Sequence, residues 1–177
     1  MDPPWRVRSA ALYITMAATL AVFLWRRPSA RQLTGAWLAT VWNVPIVLAL
    51  NLAAQSFGWW RFDAHGGLLL GLPVDLYLSW VWIWGALLAL ALPSAPLAVL
   101  VIAALGIDLL LMPAGSPVIR LGPSWLIGEC VGLAAGVVPG QLLARWTGRG
   151  THLPARASLQ ALAFGGMMLL VLPAIAI

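Results

Sequence analysis

Residues 94–112, SAPLAVLVIAALGIDLLLM, hold a single charge, Asp108, in a run long enough to cross a bilayer. A spanning helix needs about 20 apolar residues, because each residue rises ~1.5 Å through a hydrocarbon layer ~30 Å thick. An acid inside such a run is costly, so it requires either a partner or a task. This one stretch therefore sets the class of the protein and poses its functional question.

Outward from it, five more runs have the same character: residues 9–25, 33–54, 74–92, 124–143 and 158–177. Backbone groups in lipid must be satisfied within the chain, so the runs predict helices. Together they predict an all-α, polytopic membrane bundle of six helices, with residues 1–177 forming one transmembrane domain. Pro93 and Pro96 bracket Ser94 and Ala95, so a tight reversal separates the third and fourth runs. The first run follows Arg6 and Arg8 but ends in Trp25-Arg26-Arg27, not in the small residues of a cleavage site. It reads as a retained first helix. The last run reaches Ile177 without a polar tail. The expectation is either a chain that ends at a membrane surface or the front portion of a longer protein.

Composition agrees. The chain is 62% hydrophobic and 8% charged, against about 25% charged in a soluble domain. All ten basic residues are Arg, and they cluster at the ends of the apolar runs. That placement suits topology signals and headgroup contacts, and no basic face or recognition motif points to nucleic acid. One cysteine, Cys130, excludes an internal disulfide and any multi-cysteine metal site, and it reads as a small packing residue. His65 and His152 fall on opposite sides of a six-helix bundle and cannot share a metal. No nucleophile elbow, phosphate loop, zinc-protease motif or dinucleotide fingerprint is present. No cofactor is expected.

The Arg residues also set topology. Arg26, Arg27, Arg31, Arg145, Arg149 and Arg156 fall on one side, and Arg6, Arg8, Arg61 and Arg120 on the other. The larger group marks the cytoplasmic side of a bacterial inner membrane and puts both termini outside.

The polar residues converge whichever way the bundle points. Asn51 and Gln55 close the second helix on the side of the N-terminus. Trp59, Trp60, Arg61, Phe62 and Asp63 follow in its loop, and Asp75 opens the third helix after Pro73. Asp108 precedes Pro113 by five residues and Glu129 follows Ser124 by five, which places each about 7–8 Å from its helix end. The two acids therefore enter from one surface at similar depth, with Arg61 and Arg120 available as counter-charges. Asp63 reads as a solvated turn residue and Asp75 as a first-turn acid that complements the helix dipole. Asp108 and Glu129 cannot cap a helix. Either they are paired across helices, or apolar surroundings hold a carboxylic acid ready to protonate an alkene or epoxide. Rings of Trp, Tyr77 and Phe62 would then stabilise the carbocation. On the third helix, Asp75 and Ser79 share a face, while Trp80, Trp82 and Trp84 spread around it. Gly132 and Gly136 form a G-x-x-x-G packing face, and no internal repeat stands out.

The stretch Gly58-Trp59-Trp60, then Gly71-Leu72-Pro73-Val74-Asp75-Leu76-Tyr77, resembles the membrane lycopene cyclase domain. That family has a tryptophan-containing loop, a glycine and a proline, then an acidic pair opening a helix. Asp75 matches the first acid and Leu76 stands at the second. The resemblance implies acid-initiated chemistry on an isoprenoid. Asp75 would be the candidate catalytic acid, with Glu129 and Asp108 as orienting or alternative acids. Trp59, Trp60, Trp80 and Asn51 would line the substrate slot, and Arg61 would tune its charge.

Three further stretches, residues 106–113, 121–129 and 141–147, resemble a bacterial membrane region. In its known setting that region precedes methyltransferase domains of the isoprenylcysteine carboxyl methyltransferase type. The methyltransferase motif itself, an Arg-[His/Asn]-Pro-x-Tyr stretch, is absent from the chain. This second resemblance implies a non-catalytic scaffold, or the N-terminal membrane half of a larger enzyme. The expected partners are a membrane lipid or isoprenoid, and a second copy of the chain or a larger membrane enzyme.

Overall fold

The computed structural model describes residues 3–63, 67–114 and 118–149. The expected sixth span, 158–177, lies outside the described residues, as do His65 and His152.

Helix α1 (Pro3–Arg26) leads into α2 (Ala30–Phe57). The start of α2 is fixed by a reciprocal cap: Ser29 accepts from the Gln32 N–H, and the Gln32 side chain accepts from the Ser29 N–H. Its end is fixed by Gly58 in the left-handed region (φ 68°), where a residue lacking Cβ incurs no steric cost. Three short strands follow: β1 (Trp60–Phe62), β2 (Leu68–Leu69) and β3 (Leu72–Pro73). Then α3 (Val74–Trp82) passes through a π-helical turn, Ile83–Leu87, into α4 (Leu88–Ala91). Helix α5 (Leu97–Ala114), strand β4 (Ile119–Leu121) and α6 (Trp125–Gly132) come next. A second π-helical turn, Leu133–Val137, joins α6 to α7 (Val138–Arg149).

Five helical stretches are long and apolar enough to cross a membrane: Arg8–Arg26, Ala30–Phe57, Val74–Ala91, Leu97–Ala114 and Trp125–Gly148. The protein is an all-α multi-pass bundle over the described residues. The reversal between the third and fourth spans falls where the two prolines predict it. The first span is longer than the expected 9–25, because Pro3 opens a helix that carries Arg6 and Arg8 within it.

Helix α2 is the hub and packs on α7, α3 and both π-helical turns. Each π-turn brings a glycine against it. A Cβ at Gly85 would lie 2.5 Å from the Thr40 Cα, and one at Gly136 would lie 2.6 Å from Asn43 Oδ1. Gly132 is pressed the same way onto Leu50, so the G-x-x-x-G face is a packing face. A π-turn disturbs the regular i to i+4 ladder. Gln141 compensates by donating its side-chain N–H groups to the carbonyls of Trp84 (2.8 Å) and Gly85 (3.1 Å). Cys130, expected to pack, is exposed, because it follows inward-facing Glu129 by about 100° of helical turn.

Helix α2, strand β1 and the π-turned α3 are followed by α5, β4 and the π-turned α6 in the same sense. β1 and β4 pair antiparallel about Arg61↔Arg120, each an apolar–Arg–apolar triplet. The segments that follow α2 and α5 thus meet in a two-stranded ribbon.

Candidate functional site

The ribbon caps the surface to which the acids belong. Its central residues point outward: Arg61 and Arg120 are exposed, whereas Trp60 and Ile119 turn in. Arg120 pairs with Asp63 across this outer face, with side chains 75% and 50% exposed. The expected counter-charges therefore stand at the surface and do not reach the buried acids.

Asp75 opens α3 as expected, but its carboxylate is occupied. Arg8 Nε lies 2.9 Å from Oδ1 and 3.1 Å from Oδ2. Arg8 also reaches the Gly67 carbonyl, and Leu76 N–H donates to Oδ1. This pair ties α1 to α3, with side chains only 6% and 13% exposed.

Asp108 is 0% exposed. The indole N–H of Trp80 donates to Oδ1 (3.0 Å) and that of Trp84 to Oδ2 (2.9 Å). Trp80 and Trp84 are four residues apart, so one face of the third span presents both donors. Trp82 lies between them on the other face and donates to Thr19 Oγ1 on α1 (2.8 Å).

Glu129 on α6 is 2% exposed and neighbours Asp108 in the bundle. Its Oε1 has no hydrogen-bond partner among the described residues. A cavity of ≈ 10 Å³ adjoins it, walled by Asn51, Trp60, Trp80, Trp84 and Met112. That is room for about one water. Asn51 accepts from Trp60 Nε1 (2.8 Å) and donates to the Val47 carbonyl (2.7 Å). Gly128 lets the roof close, since a Cβ there would meet the Trp59 ring at 2.4 Å and the Trp60 ring at 2.7 Å.

On the far side of Trp80 is an apolar groove of ≈ 270 Å³ between α1, α3 and the end of α5. Ile14, Leu76, Ser79, Trp80, Leu111 and Ile119 are among its walls. Trp80 thus lines both the groove and the Glu129 cavity.

Of the candidate residues, the fold gathers Asp108, Glu129, Trp80, Trp60 and Asn51 into one cluster. Trp59 stacks on Trp60 at 6.3 Å between centroids. Asp75 is with Arg8, and Arg61 is on the outer face. Sequence reasoning missed Trp84, whose signal was its i+4 spacing from Trp80, and Arg8, whose partner is 67 residues away. Two carboxyl groups buried beside one another are an arrangement able to hold and release one proton, and Asp108 and Glu129 are placed as such neighbours. Among the described residues, no group of three or more His, Cys, Asp or Glu gathers to hold a metal.

Compared with protein-family models, with curated proteins and with solved structures, the chain matches none.

Proposed function

We propose that the protein is a membrane domain that handles an isoprenoid or similar lipid chain, with lycopene cyclase-like, acid-initiated chemistry. One observation carries this reading: Trp80 is the shared wall between a chain-sized apolar groove and the buried carboxyl pair that it hydrogen-bonds. The groove would take the chain from the lipid. Rotation of the Trp80 ring would bring an alkene against the Asp108–Glu129 pair.

The acid then transfers its proton to one alkene carbon, and the cation forms on the other. A neighbouring double bond attacks the cation and closes a ring. The resulting cation loses a proton from an adjacent carbon back to the carboxylate. The net change is isomerisation, with no oxidant or reductant. The rings of Trp80, Trp84 and Trp60, which line the cavity beside Glu129, would stabilise the cation. In this reading Glu129 and Asp108 carry the proton, and Asp75 positions α3 through Arg8. The sixth span, residues 158–177, completes a six-helix domain in a bacterial inner membrane.

A second reading has its own support. Both surface-proximal acids are tied to Arg, and the cavity at Glu129 is far smaller than a lipid. That pattern suits a non-catalytic scaffold, or the membrane half of a larger methyltransferase. The two separate on product profiles with an acyclic isoprenoid substrate, compared for wild type, Glu129→Gln and Asp75→Asn. The enzyme reading expects cyclic product lost in Glu129→Gln and kept in any folded Asp75→Asn protein. Absence of product from the wild-type chain supports the scaffold.

A further inference from the structure

A second cavity, ≈ 350 Å³, opens at the surface opposite the acids. Three segments form it: the first turn of α2 with Gln32, one face of α7 with Gln141, Arg145 and Gly148, and the α4–α5 reversal with Ser94. The cleft has a rigid base. One turn deeper, Gly35 on α2 lies so close to α7 that a Cβ would be 2.6 Å from the Ala144 carbonyl oxygen. Gln141 is 1% exposed and fixed by its two bonds to the third span.

Among the described residues the charge at this end is of one sign. Asp63, Asp75, Asp108 and Glu129 all belong to the other end of their spans, while Arg26 and Arg145 are both here. Each holds one carbonyl flanking the reversal, Arg26 at Ala91 (3.0 Å) and Arg145 at Ala95. A guanidinium has five N–H donors, and Arg145 uses one of them at Ala95. The α2 N-terminus adds the positive end of its dipole beside Gln32. Against these donors the cleft sets Ala89, Leu92 and Pro93, an apolar wall leading into the membrane. The chemistry that fits is an anion with tetrahedral oxygens at headgroup depth, for which arginine's planar donor set is well suited.

We propose that this cleft is a binding site for a phosphate-bearing ligand, with Arg145 as the direct contact. The phosphate belongs either to an anionic lipid headgroup or to a soluble phosphate compound. The site is independent of any reaction at the buried acids.

The test uses the full chain purified in neutral detergent, with thermal unfolding and native mass spectrometry as readouts. The probes are phosphatidylglycerol, inorganic phosphate, and diacylglycerol as a phosphate-free control. Arg145→Gln removes the contact but also frees the Ala95 carbonyl, so a second variant is needed. Gly148→Glu serves, because nothing lies within 4 Å of a Cβ there and its carboxylate would repel an anion from the cleft. The expected result is binding of at least one phosphate probe, weakened tenfold or more in both variants, with no response to diacylglycerol. Binding of phosphatidylglycerol alone assigns the site to a headgroup, and equal protection by inorganic phosphate assigns it to a soluble compound. Equal affinity in wild type and Gly148→Glu, or a diacylglycerol effect as large as that of phosphatidylglycerol, overturns the proposal.

Discussion

Trp84 and Asp108 are joined by a 2.9 Å hydrogen bond at the centre of the bundle, where Asp108 is wholly buried and Trp84 nearly so. Trp84→Phe keeps most of the ring volume and removes the donor, leaving a carboxyl oxygen without its partner. Leaving a buried polar group unsatisfied costs about 1–3 kcal/mol. Trp82→Phe removes a donor from the Thr19 hydroxyl, which keeps its own bond to the Thr15 carbonyl, so about 0.5–1.5 kcal/mol is expected. Unfolding free energies in mixed micelles should rank Trp84→Phe as the more damaging. The reverse order would mean that the Trp84 bond contributes little to holding Asp108.

The two ion pairs of the acidic surface differ in burial, and so in worth. Breaking the nearly buried Arg8–Asp75 pair by Arg8→Gln should cost about 3–5 kcal/mol, because it strands a desolvated carboxylate. Arg120→Gln breaks a pair that is half in solvent and should cost no more than about 1 kcal/mol. Replacing both partners, as Arg8→Met with Asp75→Leu, should recover most of the first loss. Equal costs for Arg8→Gln and Arg120→Gln would contradict the difference in burial.

Much of this was legible in the chain because helix length and lipid impose strong rules. The runs around Asp108 and Glu129 put both acids on one side of the bundle, and the two are neighbours there. Pro93 and Pro96 place the reversal. What could not be read was long-range pairing. Nothing near Asp75 announces Arg8, since the two are joined only when α1 packs on α3. Arg120 was equally available to Asp63 or Glu129 until strand β4 turned it outward. The ribbon itself was missed because three-residue strands carry no usable periodicity. The two π-turns lie in sequences, IWGAL and LAAGV, that read as ordinary helix.

Close backbone approach at the π-turns gives a further contrast. Gly85→Ala would drive a Cβ to 2.5 Å from Thr40 Cα. Overpacking of this kind costs about 1–3 kcal/mol. Gly106→Ala, in α5 with nothing within 4 Å of its Cβ, should instead stabilise by about 0.5–1 kcal/mol through reduced backbone entropy in the unfolded chain. Opposite signs in thermal unfolding are the expected outcome. A neutral Gly85→Ala would mean that α2 and the third span can separate without cost.

In the proposed reading the Asp108–Glu129 pair delivers a proton to an isoprenoid held against Trp80. The most direct measurement of this transfer is mass analysis of product formed by the full chain in D₂O-equilibrated nanodiscs from an acyclic isoprenoid. In a single turnover the expected product is cyclised and carries one deuterium from the acid, with none formed by Glu129→Gln. Cyclised product without deuterium, or labelled product formed equally well by Glu129→Gln, would contradict this reading.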